Sequence, residues 1–259
     1  MPPPGRRQAP THPIRTQIGV AAGRPSETGM GDVIHGDYLK HGDKILGDKI
    51  VHAPTPSTAA SGANRSTLLV LSANPRGTTP LRLDSEHRQI VESIAAVQAL
   101  ARLDVRVADA LQVDDLHHRL LQYRPVAVHF AGHGSPGGVV IEDHDGHPRH
   151  VPAQALADLI AIFAPPVRCV VMNACYTDAV ADAIARHGPC VAGMRGPVPD
   201  DTAIRFAAGF YAAAASGMSV QEAFELGRNR LSLQQISAHP PVLAALPGVA
   251  NRTFLVDRS

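Results

Sequence analysis

The sequence predicts an α/β fold in which a mostly parallel central sheet carries helices on both faces. Three observations predict it. From residue 67 onward, short runs of strand length alternate with segments of helical periodicity. Most of those runs are continuously apolar, the mark of strands buried on both faces. And 44% of the 259 residues are hydrophobic, enough for a substantial core. The same arithmetic sets classes aside. A formal net charge of +1 lacks the basic stripe of a general nucleic-acid binder. No apolar run approaches the roughly 20 residues that span a bilayer. The opening MPPPGRRQAP has no apolar stretch after it and does not read as a secretory signal. Three cysteines fit a reducing cytoplasm better than a disulfide scaffold.

The elements follow in order. Residues 1–28, rich in Pro, Gly, Arg and Thr without periodicity, read as a disordered tail. Residues 29–52 repeat Gly-Asp at 31–32, 36–37, 42–43 and 47–48, each followed by a short β-prone stretch such as Val33-Ile34 or Lys44-Ile45. All the lysines, Lys40, Lys44 and Lys49, lie here. The segment is either a linker without a fold or a small assembly or docking element, which would need stacking against itself or a partner. Residues 53–66 are a linker by composition, and order begins at Thr67.

Leu68–Leu71 is a strand ending in the loop Ser72–Gly77. Residues 84–101 place Ile90, Val91, Ile94 and Val97 at helical spacing, with Asp84 or Ser85 as cap. Val105–Val107 is a strand; Asp114–Tyr123 is a helix stopped before Pro125. Val126–Phe130 is a buried strand that runs into Ala131-Gly132-His133-Gly134. GGVVIEDHDGHPRHVP is a hairpin turning at Asp-Gly. Ala153–Phe163 is a helix, Val167–Met172 a strand, Asp178–Arg186 a helix ended by Gly188, and Cys190–Met194 a strand. Helices at 202–216 and 219–233, split by Gly217, precede a last strand, Phe254–Val256.

In an open parallel sheet ligands meet the carboxyl ends of the strands. Two buried strands end there with reactive side chains, His133 and Cys175. On neighbouring strands these residues have the arrangement of a Cys–His dyad, in which the imidazole takes the thiol proton and the thiolate attacks a carbonyl carbon. Cys175 also opens a helix by this reading, which favours the thiolate. Backbone N–H groups of Gly134 and Cys175 are natural oxyanion donors. The plainer alternative keeps its place: a lone Cys after an apolar strand is commonly a small buried hydrophobe, and a His among glycines a loop residue.

Other groupings are weaker. His144, His147 and His150 with Asp143 and Asp145 fit a hairpin tip better than a metal site, and no metal or cofactor is expected. Cys169 and Cys190 lie in apolar strands as packing residues. Arg76-Gly77-Thr78-Thr79 lacks the spacing and lysine of a phosphate loop.

His129-Phe130-Ala131-Gly132-His133-Gly134, then a hairpin, then Asn173-Ala174-Cys175-Tyr176-Thr177, resembles the CHAT family of caspase-like cysteine peptidases. Leu69–Pro75 with Pro80–Leu83 and Glu86 resembles the family's opening strand, loop and helix. Phe206–Tyr211, Gly217–Val220, Ala223 and Arg228 resemble its late helical pair. The likeness covers residues 66–257, so the domain is bounded at 67–259. It implies a caspase-like three-layer sandwich and a cysteine endopeptidase with catalytic His133 and Cys175, acting on a protein substrate. It further implies a bacterial defence, signalling or programmed-death circuit. Relatives that cleave after Arg or Lys resemble one another in an acid two residues before the nucleophile; here that residue is Asn173, which supplies no charge. Asp200 and Asp201 are alternative lining for the P1 pocket, or Asp201 is a helix cap. No cleavage linker separates the His and Cys halves. The competing class is a catalytically silent scaffold that binds partner proteins; a third reading is a latent enzyme that self-associates or docks through residues 29–52.

Overall fold

The computed structural model describes residues 65–99, 102–236 and 240–257, together with the backbone of 40–41 and 44–45. The expected tail at 1–28, most of the Gly-Asp segment and the linker to residue 64 lie outside the described residues. In chain order the elements are β1 (Lys40–His41), β2 (Lys44–Ile45), β3 (Ser66–Ser72), α1 (Leu83–Ala96), β4 (Leu103–Ala108), α2 (Val113–Tyr123), β5 (Ala127–Ala131), β6 (His133–Ser135), β7 (Gly138–Glu142), β8 (Pro148–Pro152), α3 (Ala153–Phe163), β9 (Cys169–Asn173), α4 (Asp178–Ala185), β10 (Cys190–Met194), α5 (Asp200–Ala215), α6 (Val220–Leu233) and β11 (Pro241–Ala244). Within the Gly-Asp segment β1 and β2 pair antiparallel, Lys40 with Ile45 and His41 with Lys44.

The main sheet has six strands in the order β11-β10-β9-β5-β3-β4. All its pairings are parallel except β10 with β11. In β5 and β9 the odd-numbered side chains, such as Ala127, Cys169 and Val171, join a core with Ile90 and Ile94 of α1, Phe206 and Phe210 of α5 and Phe224 of α6. Even-numbered ones, such as Val128, Phe130, Val170 and Met172, join a second core with Leu116 and Leu120 of α2, Leu156 and Ile160 of α3 and Ile184 of α4. Alternating side chains therefore feed two separate cores, one per face. This is the expected three-layer α/β sandwich, with a second three-stranded antiparallel sheet, β6-β7-β8, set after β5.

The strand order positions the site. From β3 the chain passes through α1 on one face to β4 on one side of β3. It then passes through α2 on the other face to β5 on the opposite side. The loops after β3 and β5 consequently part, and the crevice at such a switch point is where open α/β sheets bind ligands.

The structure corrects some sequence expectations. Phe254–Val256 is not a strand, although Leu255 and Val256 are fully buried in the core. The edge beside β10 belongs instead to Pro241–Ala244. A proline at the first residue of an edge strand sacrifices no ladder bond, so Pro241 does not preclude it. Helix α1 is preceded by Arg82 rather than capped by Asp84 or Ser85. Asp201 is not the cap of α5: Pro199 holds that position and both acids lie in the first turn.

Candidate active site

β5 and β9 are parallel neighbours, with Ala131 opposite Asn173. His133 and Cys175 each follow two residues later, so they emerge level at the carboxyl end of adjacent strands. The Gly132 N–H donates to the Asn173 carbonyl at 3.3 Å, which carries the pairing one step past the strands. Gly134 then lies flush on the nucleophile's backbone. A Cβ at Gly134 would collide with the Cys175 carbonyl oxygen, so only glycine permits this approach.

His133 is anchored from the far side of the crevice. Its Nε2 lies 2.9 Å from the carbonyl oxygen of Thr79, in the loop after β3. A carbonyl only accepts, so Nε2 carries the proton and Nδ1 is left as the basic nitrogen. Thr79 was not legible as a partner, because what the site uses is its main chain. The Cys175 sulfur accepts from the Val198 N–H at 3.3 Å. The hydrogen bonds of the two side chains thus run to Thr79 and Val198 rather than to each other.

Cys175 does not open a helix, contrary to expectation. Helix α4 starts at Asp178, and a sharp turn intervenes. Tyr176 takes a left-handed φ of 57°, a conformation costing a non-glycine residue on the order of 1 kcal/mol. Thr177 fixes the turn: its Oγ1 lies 3.0 Å from the Ala174 carbonyl and accepts from the Met194 N–H at 2.9 Å. The N–H donor on the sulfur therefore comes from the loop after β10, not from a helix end.

Asn173 points into the core rather than into the crevice. It is 5% exposed, and its amide donates to Glu86 Oε1 at 2.5 Å and to the Ala203 carbonyl at 2.9 Å. Glu86 Oε1 also meets His129 Nε2 at 2.9 Å, and His129 Nδ1 meets the Tyr211 hydroxyl at 3.2 Å. Burial pushes the Tyr211 hydroxyl well above its usual range. The sequence held one signal for this cluster. Glu86 sits one helical turn before Ile90 and two before Ile94, continuing the buried stripe of α1 with an acid.

Asp200 and Asp201 are committed to arginines. Asp200 Oδ2 accepts from Arg82 Nε at 3.1 Å; Asp201 accepts from Arg205 Nε at 2.6 Å and from Arg82 Nη2 at 3.1 Å. Hydrogen bonds from Arg205 and then Arg82 hold the Asp201 carboxyl below its usual range. Their charge is locally neutralised, which weakens them as a site for a basic side chain.

The remaining candidates lie on the β7–β8 hairpin and inside strands, the hairpin tip meeting the loop after β3 where the Arg76 N–H donates to the Gly146 carbonyl at 2.8 Å. Asp143, Asp145 and His147 cluster at the tip of the β7–β8 hairpin. There the Asp143 carboxylate accepts the N–H groups of Asp145 and His147 at 2.9 and 2.8 Å. His150 lies in β8. Cys169 and Cys190 face each other across β9 and β10, and burial pushes both thiols up, away from thiolate chemistry.

The CHAT domain model matches residues 32–243. The chain belongs to the CHAT domain family. A Roc-COR-CHAT protease from an unknown prokaryotic organism is 25% identical over 154 residues, covering 56% of this chain and 14% of that protein. The chain therefore spans about a seventh of the curated relative it matches. The crystal structure of the Drosophila initiator caspase Dronc aligns over 88% of this chain and 97% of its own at a TM-score of 0.53 and 12% identity, a likeness of fold. Together these show a CHAT domain with a caspase-like fold. Among the described residues, no helix is long and apolar enough to cross a membrane.

Proposed function

We propose that this CHAT domain is a cysteine endopeptidase with Cys175 as nucleophile and His133 as general base and acid. One observation carries the reading: two strand ends emerge level, and Gly134 lies so close to Cys175 that no side chain fits between. The chemistry follows from the anchored imidazole. His133 Nδ1 takes the thiol proton, and the thiolate adds to the scissile carbonyl carbon. The oxygen that becomes negative is stabilised by the N–H groups of Gly134 and Cys175. The tetrahedral adduct collapses, the C–N bond breaks, and the imidazolium gives its proton to the departing amine. Water, deprotonated by the same nitrogen, then hydrolyses the thioester. No cofactor enters this sequence.

The substrate is a protein, and the P1 side chain is not selected by a free acid at residue 173, 200 or 201. The setting is a cytoplasmic bacterial defence, signalling or programmed-death circuit, with no nucleic acid or membrane as partner. The Val198 N–H on the sulfur favours a second form of the reading, a latent enzyme. In it the loop 195–199 moves before Cys175 engages His133, and self-association or docking through residues 29–52 is the trigger.

The test is cleavage by the full chain, expressed with the products of its genomic neighbours. Cys175→Ala and His133→Ala should each abolish it. Undiminished cleavage in either would sink the dyad and favour a scaffold that only binds partners. Deleting residues 29–52 while following solution mass and activity tests latency; no change in either quantity rules out assembly through that segment.

A further inference from the structure

Beneath the candidate dyad lies a buried polar cluster that the reaction itself does not use. Glu86 is 2% exposed, His129 and Tyr211 are fully buried, and Asn173 is 5% exposed. They come from four elements, α1, β5, α5 and β9. One atom, Glu86 Oε1, is the common partner of His129 on β5 and Asn173 on β9. These residues lie four positions before His133 and two before Cys175. The same helix α1 begins just after Thr79, whose carbonyl anchors His133. A single carboxyl group thus touches both strands that end in the dyad and belongs to the element that follows the imidazole's anchor.

Stability does not explain the cluster. Buried polar groups of this kind are commonly matched or exceeded by apolar residues of similar volume. Here the Asn173 carbonyl oxygen is buried without a hydrogen-bond partner among the described residues, a cost that a core built for stability avoids. The hydrogen bonds instead fix direction and register, which packing alone leaves softer. The amide at residue 173 is also matched to Glu86. Both its N–H groups are used, on Glu86 and on the Ala203 carbonyl, and a carboxylate there would face another carboxyl group.

We propose that Glu86 is a positioning residue for the dyad: through His129 and Asn173 it locks the ends of β5 and β9 so that Cys175 and His133 meet in register. The inference rests on the dyad reading and specifies how its geometry is held. Misplacing reacting groups by about 1 Å costs on the order of 100-fold in rate.

The experiment follows alkylation of Cys175 by iodoacetamide as a function of pH, located by mass spectrometry, alongside thermal unfolding of the full chain. The variants are His133→Ala, Glu86→Gln and the double replacement Glu86→Leu with Asn173→Leu. The double variant leaves His129 Nε2 and the Ala203 carbonyl without their partners, so it should unfold at a lower temperature than wild type but stay folded at the assay temperature, yet be alkylated roughly 10- to 100-fold more slowly at neutral pH. Its pH profile should approach that of His133→Ala. Glu86→Gln keeps an acceptor oxygen in place and should lose less rate than the double variant. Wild-type rate and profile in the folded double variant would overturn the role. Loss of fold in both Glu86 variants would overturn it too, by assigning the cluster to stability. If His133→Ala itself leaves the profile unchanged, the dyad falls and the positioning role with it; if only the Glu86 variants are silent, the dyad stands alone.

Discussion

The two faces of the central sheet are built from the same strands and differ in what they are for. The face under α2, α3 and α4 is packed by the apolar side chains of Leu71, Val128, Phe130, Val170, Met172 and their helical partners. The face under α1, α5 and α6 holds the aromatic cluster Phe206, Phe210, Tyr211 and Phe224, and also Glu86, His129 and Asn173. The apolar face tolerates a small imperfection, a void of about 30 Å³ lined by Leu120, Val170 and Ile184 among others. The polar face has its hydrogen bonds directed at particular atoms. Non-directional burial holds one face together, and directional bonds specify the strand ends on the other.

Substitutions can break that contrast. The largest effect is expected for Asn173→Asp, which sets a second carboxyl against Glu86 in a buried site. It should cost about 4 kcal/mol in urea unfolding and slow alkylation of Cys175. A cost within experimental error would show that the cluster is open to water. Next comes Leu120→Ala on the apolar face, about 3 kcal/mol by loss of transfer energy and an enlarged cavity. The folded fraction should still alkylate at Cys175 with wild-type rate and pH profile; a shifted profile would mean that the faces are not independent.

The third prediction concerns His87, buried at the edge of the polar face. Burial holds its imidazole below the ordinary 6.5, only partly opposed by Asp109. The unfolded chain therefore takes up a proton near pH 6.5 that the folded chain refuses. Stability should fall as the pH drops below that value, by at most about 1.4 kcal/mol per pH unit from this group. His87→Leu should flatten that slope between pH 7.5 and 5.5, and an unaltered slope would point to another titrating group. The smallest effect is a gain. Val170→Ile adds a methyl group to the lining of the void, and filling it should stabilise by about 0.7 kcal/mol; a loss would show that the void is not reachable without strain.

Much of the fold was legible in the sequence, for a local reason. The runs at 68–71, 126–130, 167–172 and 190–194 and the helix at 153–163 carry their period and their boundaries in adjacent residues, and the structure reproduces them closely. Phe254–Val256 misled because an apolar triplet reports burial but not ladder bonding. Pro241–Ala244 carries no strand signal of its own because its initial proline hides an edge strand. Within the candidate site, Cys175 and His133 stood out as reactive side chains at strand ends. Thr79 and Val198 did not, since they contribute main-chain groups that are not particular to their residue types.

The sequence by itself determined most of the strands and helices, that the sheet is buried on both faces, and which family the ordered motifs resemble. Those properties depend on residue type and period. Only the tertiary structure decided the strand order, the crevice between the loops after β3 and β5, and the use of Asn173. The family resemblance left that residue facing a substrate; folding turned it inward onto an acid 87 positions away. The reason is physical: a hydrogen bond depends on distance and direction in space, and chain separation carries neither.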